Sequence, residues 1–280
     1  MVIALGLVLG VSGWWLLWAV KTPWNPLAFW ALWTGAALLM WAVTTTGYPS
    51  IRRHLALSAM SVPLWWWFEI VNARVANWEY VYDEEYVLLL YGFLSTIAFS
   101  TVVPAIVAAT SLWERATGSA APDTIAIEMS QPSPQWLLGL GFALQGLVLI
   151  LPIVFYPLTW IAPFLIADGL LVAAGGRGLT RDIIRGRWRE ALLIGAAGIT
   201  CGVLWEFWNF WAYPKWEYEI PLLGFGKVFE MPILGYGGYV PFAWSVVQTV
   251  RLADRLLERR WTPRRKRGVQ TGTPVRQLDG

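Results

Sequence analysis

Glu69 and Asn72 close the stretch WWWFEIVN (65–72), and Glu206 and Asn209 close LWEFWN (204–209). In both, a carboxylate and an amide three residues later share one face of a helix, inside an apolar run rich in tryptophan. An acid is costly to keep in such surroundings, so its presence twice calls for a reason. Such acids can hold or pass a proton, protonate a lipid-soluble substrate or polarise its headgroup. They can also serve as proton or cation sites in transport. The structural alternative is that each glutamate accepts hydrogen bonds from indole N–H or phenol O–H groups and locks two helices together.

Both pairs are followed by the same short motif, NWEY (77–80) and KWEY (215–218). If the two helix faces meet, they form one polar site capped by Trp78, Tyr80, Trp216 and Tyr218. Glu69 and Glu206 are then the candidate reacting acids, and Asn72 and Asn209 line the site with the capping aromatics. Glu230, in FEMP (229–232), is expected to begin the last helix on the same side and to make the site asymmetric. Glu79, Glu217, Asp83, Glu84 and Glu85 read as solvated loop charges. Asp168 is expected to form a structural ion pair with an arginine such as Arg177. The single histidine, His54, sits beside Arg52 and Arg53, and the single cysteine, Cys201, lies in an apolar run. No metal, disulfide or cofactor is expected from them, and GFGKVF lacks the spacing of a phosphate-binding loop.

The elements that must position these residues follow from composition. The 280 residues are 57% hydrophobic and 14% charged, against about 25% charged in soluble domains. The apolar residues fall in continuous runs of a length that crosses a bilayer core, unlike the alternating strands of a β-barrel. The expected fold is all-α: a polytopic transmembrane helical bundle of about eight spans, near 2–20, 27–46, 55–73, 86–112, 136–155, 157–175, 190–211 and 229–251. The first lacks a basic lead and a small-residue cleavage site, and reads as a retained helix. Many of the 21 tryptophans sit at run ends, where indoles face headgroups.

Seventeen lysines and arginines fall in one set of alternate connections and four in the other. By the positive-inside rule both termini are cytoplasmic. The tail RLADRLLERRWTPRRKRG reads as an amphipathic extension on anionic headgroups rather than a nucleic-acid site. Membrane lipids are the expected partners.

The chain also repeats itself. A shift of 137 superposes Glu69 on Glu206, Asn72 on Asn209 and Pro104 on Pro241. A shift of 131 superposes NPLAFW (25–30) on YPLTWI (156–161). Four spans per half give two parallel-oriented repeats about an axis along the membrane normal. The expected organisation is a first four-helix repeat at 1–113, a cytoplasmic linker at 114–135, a second repeat at 136–251 and a basic tail at 252–280. The Gly- and Pro-rich segment 216–242 is expected to hold an unwound or re-entrant stretch lining a cavity.

FEIVNARVANWEY, LSTIAFSTVVPA and LIADGLL resemble a group of prokaryotic multi-span membrane proteins with no assigned function. The resemblance covers most of 24–110 and 155–245 and implies the duplicated architecture in a prokaryotic inner membrane. A fainter likeness runs to membrane enzymes of carotenoid metabolism, the lycopene-cyclase-domain and carotenoid-hydratase proteins, whose glutamates are thought to protonate a polyene. Those cyclases carry Pro-x-Glu-Glu, whereas here Glu230 stands alone before Pro232, so no catalytic role is carried across. The leading expectation is a protein that handles or modifies a lipophilic molecule, lipid- or isoprenoid-like, at an outward-facing aromatic and carboxylate site. A proton- or cation-coupled transporter and a structural or assembly subunit are the alternatives.

Overall fold

A computed structural model describes residues 1–44, 49–82, 88–118, 130–221 and 223–261. Asp83, Glu84 and Glu85, half of the expected linker (119–129), and the tail past Trp261 lie outside the described residues. The chain is mostly helical. Helices α1 (Val2–Ala19), α2 (Asn25–Ala42) and α3 (Ile51–Val75) lead to strand β1 (Trp78–Val81), followed by α4 (Leu88–Phe99) and α5 (Val102–Thr117). Then come α6 (Pro134–Ile150), the one-turn α7 (Pro152–Phe155), α8 (Leu158–Ala173), α9 (Leu179–Ile184), α10 (Arg189–Asn209) and β2 (Lys215–Tyr218). A small hairpin, β3 (Lys227–Val228) and β4 (Met231–Pro232), passes through a 3₁₀ segment, Ile233–Gly238, into α11 (Tyr239–Trp261). Among the described residues, three segments are long and apolar enough to cross a membrane: Val2–Ala19, Leu90–Thr117 and Arg189–Asn209.

Two expectations need correction. The last long helix begins at Tyr239, not near 229, because Pro232 and the glycines after it favour a hairpin and a 3₁₀ turn. The expected fourth span is two helices, α4 and α5, joined at Ser100 and Thr101. Pro104 lies in the first turn of α5, where its missing N–H is least costly. Ser61 of α3 satisfies the break: its hydroxyl donates to the Phe99 carbonyl and accepts from the Val103 N–H at 3.0 Å. Beyond the expected span, α11 continues unbroken past Arg251 to Trp261. Its charged side chains reach across to other helices, with Arg251 pairing with Glu190 and Asp254 receiving both Arg53 amines at 2.5 and 2.7 Å.

Small residues let the helices approach closely. A Cβ at Gly13 would lie 2.6 Å from the Leu32 N of α2, and one at Gly35 would lie 2.4 Å from the Gly10 N of α1. Between α6 and α8, Gly141 abuts Ile166 and the Ala162 carbonyl in the same manner. Backbone approach of this kind packs helices where apolar contact with solvent is no penalty. One buried cluster joins both halves of the chain, with Trp33, Phe68 and Ile106 from the first and Ile194, Cys201 and Phe242 from the second. Large apolar side chains also face outward, among them Val8, Val11 and Trp15 on α1 and Phe142, Ile150 and Ile153 on α6 and α7.

At the end of the molecule away from the strands, Asp168 is fully buried. Its carboxylate accepts from the backbone N–H groups of Leu179 and Thr180 at 2.7 and 3.2 Å and from the Gln248 amide. In place of the expected ion pair with an arginine, it clamps backbone. Arg177, the anticipated partner, reaches Asp182 at 2.5 Å.

Candidate functional site

Asn72 and Asn209 organise the face where the strands lie. Ala76 ends α3 in the left-handed conformation, with φ of 54°, which costs a non-glycine residue about 1 kcal/mol or more. Asn72 holds that turn in place. Its Oδ1 accepts from the Asn77 and Trp78 N–H groups at 2.9 and 3.2 Å, and its Nδ2 donates to the Trp78 carbonyl at 2.7 Å. At the end of α10, Asn209 does the same for Trp216, accepting from its N–H at 2.9 Å and donating to its carbonyl at 2.7 Å. The strands so anchored, β1 and β2, pair antiparallel with Trp78 opposite Tyr218, Glu79 opposite Glu217 and Tyr80 opposite Trp216.

This ribbon presents one tyrosine to each glutamate. Tyr80 donates to Glu69 Oε1 at 2.6 Å, and Trp65, one turn back on α3, donates its indole N–H to the same oxygen at 2.8 Å. Tyr218 and Tyr239 both donate to Glu206 Oε1 at 2.7 Å, while Glu206 Oε2 is buried without a partner. The acids therefore have separate sets of donors and do not form the single polar site expected from the sequence. They also differ in access, since Glu206 is 0% exposed and Glu69 is partly exposed. The phenols of Tyr80 and Tyr218 are held well above their usual pKa. Burial is the main cause, reinforced by the adjacent Glu69 and Glu206 carboxylates, so both hydroxyls stay protonated donors.

Beneath the ribbon lies a cleft of about 110 Å³. Its walls come from both halves of the chain, including Phe29, Trp65, Trp160, Trp205, Trp216 and Phe242. Phe242 sits at the hub, 5.4 Å from Phe68 and 5.9 Å from both Trp65 and Trp160 between ring centres. A second opening of about 270 Å³ adjoins it between α3 and α4, lined by Trp66, Glu69, Tyr80 and Tyr91. Tyr80, Tyr91, Ser95 and Phe99 border both spaces, so Glu69 stands in a side window of the aromatic cleft.

Of the residues anticipated from sequence, Trp78, Tyr80, Trp216 and Tyr218 line the cleft. Glu69 and Glu206 stand one hydrogen bond behind that wall, and Asn72 and Asn209 serve the backbone. Glu230 is corrected: it occupies the β3–β4 turn and pairs with Lys215 at 2.8 Å, and it begins no helix. The unwound segment expected in 216–242 does line the cleft, through Met231, Gly235 and Gly238. Sequence reading missed Tyr239, the second donor to Glu206, and the wall residues Trp160, Trp205 and Phe242. The one available signal was GYGGYVPF (235–242), where aromatics follow glycines at a helix start. No protein-family model, curated protein or solved structure matches the chain.

Proposed function

We propose that this is an integral inner-membrane protein of eight spans, built as two parallel four-helix repeats, which handles or modifies a lipophilic molecule at an outward-facing cleft. The observation that carries the reading is the cleft itself: an aromatic space between the halves, closed by the strand ribbon and opening sideways past Glu69. A lipid- or isoprenoid-like molecule would enter through that window, flanked by the exposed Ile70 and Phe93, without crossing water. The acids would act from behind the wall. Glu69 lines the window and is partly exposed, whereas Glu206 is fully buried, and this difference favours Glu69 over Glu206 as the acid that meets a substrate.

Support for the repeat comes from matching roles at matching positions. Asn72 and Asn209 anchor equivalent tryptophans, Tyr80 and Tyr218 serve equivalent glutamates, and Pro104 and Pro241 lie in the first turns of α5 and α11. The outward-facing apolar side chains of α1, α6 and α7 suit contact with lipid tails. The positive-inside bias places the ribbon outside and both termini in the cytoplasm.

The test is mass spectrometry of lipids that co-purify with wild type and with Ser95→Trp, which fills the border between cleft and window. A specific lipid enriched in wild type and lost from a stable Ser95→Trp protein supports the reading. Only bulk membrane lipid in both, or the same enriched species in both, sinks it.

A further inference from the structure

The class of molecule follows from the charges around the cleft, granted that the cleft is a binding site. Among the described residues no lysine, arginine or histidine lines it. Two acids stand directly behind its wall, Glu69 behind Tyr80 and Glu206 behind Tyr218 and Tyr239. A phenol that gives its proton to a carboxylate offers only lone pairs to any third group. The indole N–H of Trp65 is spent on Glu69, and that of Trp216 on the Tyr218 oxygen at 2.9 Å. Trp78 Nε1 is a neutral donor without a partner in the same wall, and it adds no charge.

The cleft thus presents aromatic faces and polarised acceptor oxygens, with two acids one hydrogen bond behind them. Ring faces attract cations through their quadrupole, most strongly for tryptophan. Carboxylates do so through Coulomb attraction that low surrounding dielectric strengthens. An anionic headgroup would meet like charge and no counter-ion, and a plain hydrocarbon would leave Glu206 Oε2 as unpaired as it stands. We infer that the molecule taken up carries an ammonium group, held in the aromatic box between Trp65, Trp160, Trp205 and Trp216, as the head of an amphiphile. Its chain leaves through the window between α3 and α4.

The experiment is titration of the purified full-length protein in a nonionic detergent, followed by tryptophan fluorescence. The probes are decyltrimethylammonium, its neutral tert-butyl isostere of equal chain length, decyl sulfate, and choline as a free cation. The expected result is binding of decyltrimethylammonium about tenfold tighter than the neutral isostere, with no competition from decyl sulfate. Equal binding of cation and isostere overturns the ammonium and leaves the lipophilic cleft standing. Saturable binding of none of the decyl compounds overturns both. Choline binding as tightly as decyltrimethylammonium overturns the amphiphile, since the chain then contributes nothing. Glu206→Gln is expected to reduce the cation preference about fivefold and to leave the isostere unchanged. The comparison of probes on wild type stands even if that variant does not fold.

Discussion

Asn72 and Asn209, on different helices and far apart in sequence, make the same hydrogen bonds to the same backbone atoms of equivalent tryptophans. Each Nδ2 donates at 2.7 Å to the carbonyl of Trp78 or Trp216, and each Oδ1 accepts from that residue's N–H. The strands they anchor pair so that Glu79 faces Glu217, which puts a local two-fold axis between those glutamates. The aromatics obey it too. Phe29 of the first half packs on Trp216 of the second at 5.7 Å, and Trp160 of the second packs on Trp78 of the first at 6.0 Å. Each strand is therefore wedged against the other half, and the ribbon works as a clasp across the cleft.

Removing either amide should loosen that clasp. Asn209→Ala leaves a strand N–H and carbonyl without partners, at an expected cost of about 2–3 kcal/mol. Asn72→Ala should cost as much or more, since three hydrogen bonds and the left-handed turn at Ala76 depend on it. Thermal unfolding in detergent, read by tryptophan fluorescence, checks both. A shift no larger than that of a surface control substitution would mean that the strands hold themselves without the amides.

The two glutamates should respond differently to the same change. Glu206 accepts two phenol protons in a fully buried place, and Glu206→Leu strands both hydroxyls, costing about 2–4 kcal/mol. Glu206→Gln keeps an oxygen for them and is expected to fold. Glu69 stands in the side window, so Glu69→Gln should leave the unfolding temperature nearly unchanged while altering what co-purifies. If Glu69→Gln is as destabilising as Glu206→Leu, Glu69 is a helix clamp and the site loses its acid.

Alkaline pH should open the ribbon, and the sign follows from the phenols. Burial, then the neighbouring carboxylates, raise the pKa values of Tyr80 and Tyr218 in the fold above their ordinary 10. The folded state then holds protons that the unfolded state releases. Stability from these groups is complete below pH 10 and falls as pH climbs above it toward the folded values. Denaturant midpoints measured from pH 8 to 11 should decline beyond pH 10, and Tyr218→Phe should flatten that decline. A variant with the same slope as wild type would place the titrating group elsewhere.

The hydrogen-bonding residues of the candidate site were easier to find in the sequence than the space they surround. Glu-x-x-Asn followed by Trp-Glu-Tyr is a local pattern, and local hydrogen bonds realise it: Asn72 reaches only as far as Trp78, and Tyr80 reaches back to Glu69. The cleft is a tertiary object. Phe242 meets Trp65, Phe68, Trp160 and Trp205, residues that no spacing rule connects. Apolar helices resemble one another in composition, so periodicity could not say which face of α8 or α11 turns inward. The break between α4 and α5 hid for a related reason, since a serine on a different helix, Ser61, completes it. The late start of the last helix was better signposted, by Pro232 and the glycines after it.

The orientation makes a prediction that does not involve the cleft. Glu79, on the ribbon, and Arg185, just after α9, are both exposed, and the proposed topology places three spans between them. They must then lie on opposite sides of the membrane, with Glu79 outside. Single cysteines placed at either position can be probed with a membrane-impermeant maleimide on intact cells and after permeabilisation. Cys201 is fully buried and should give no background. Glu79→Cys should label in intact cells, and Arg185→Cys only once the membrane is opened. Labelling of both from outside would make the number of spans between them even. Two parallel four-helix repeats could not then be drawn, and the matching asparagines would have to be explained without a duplication.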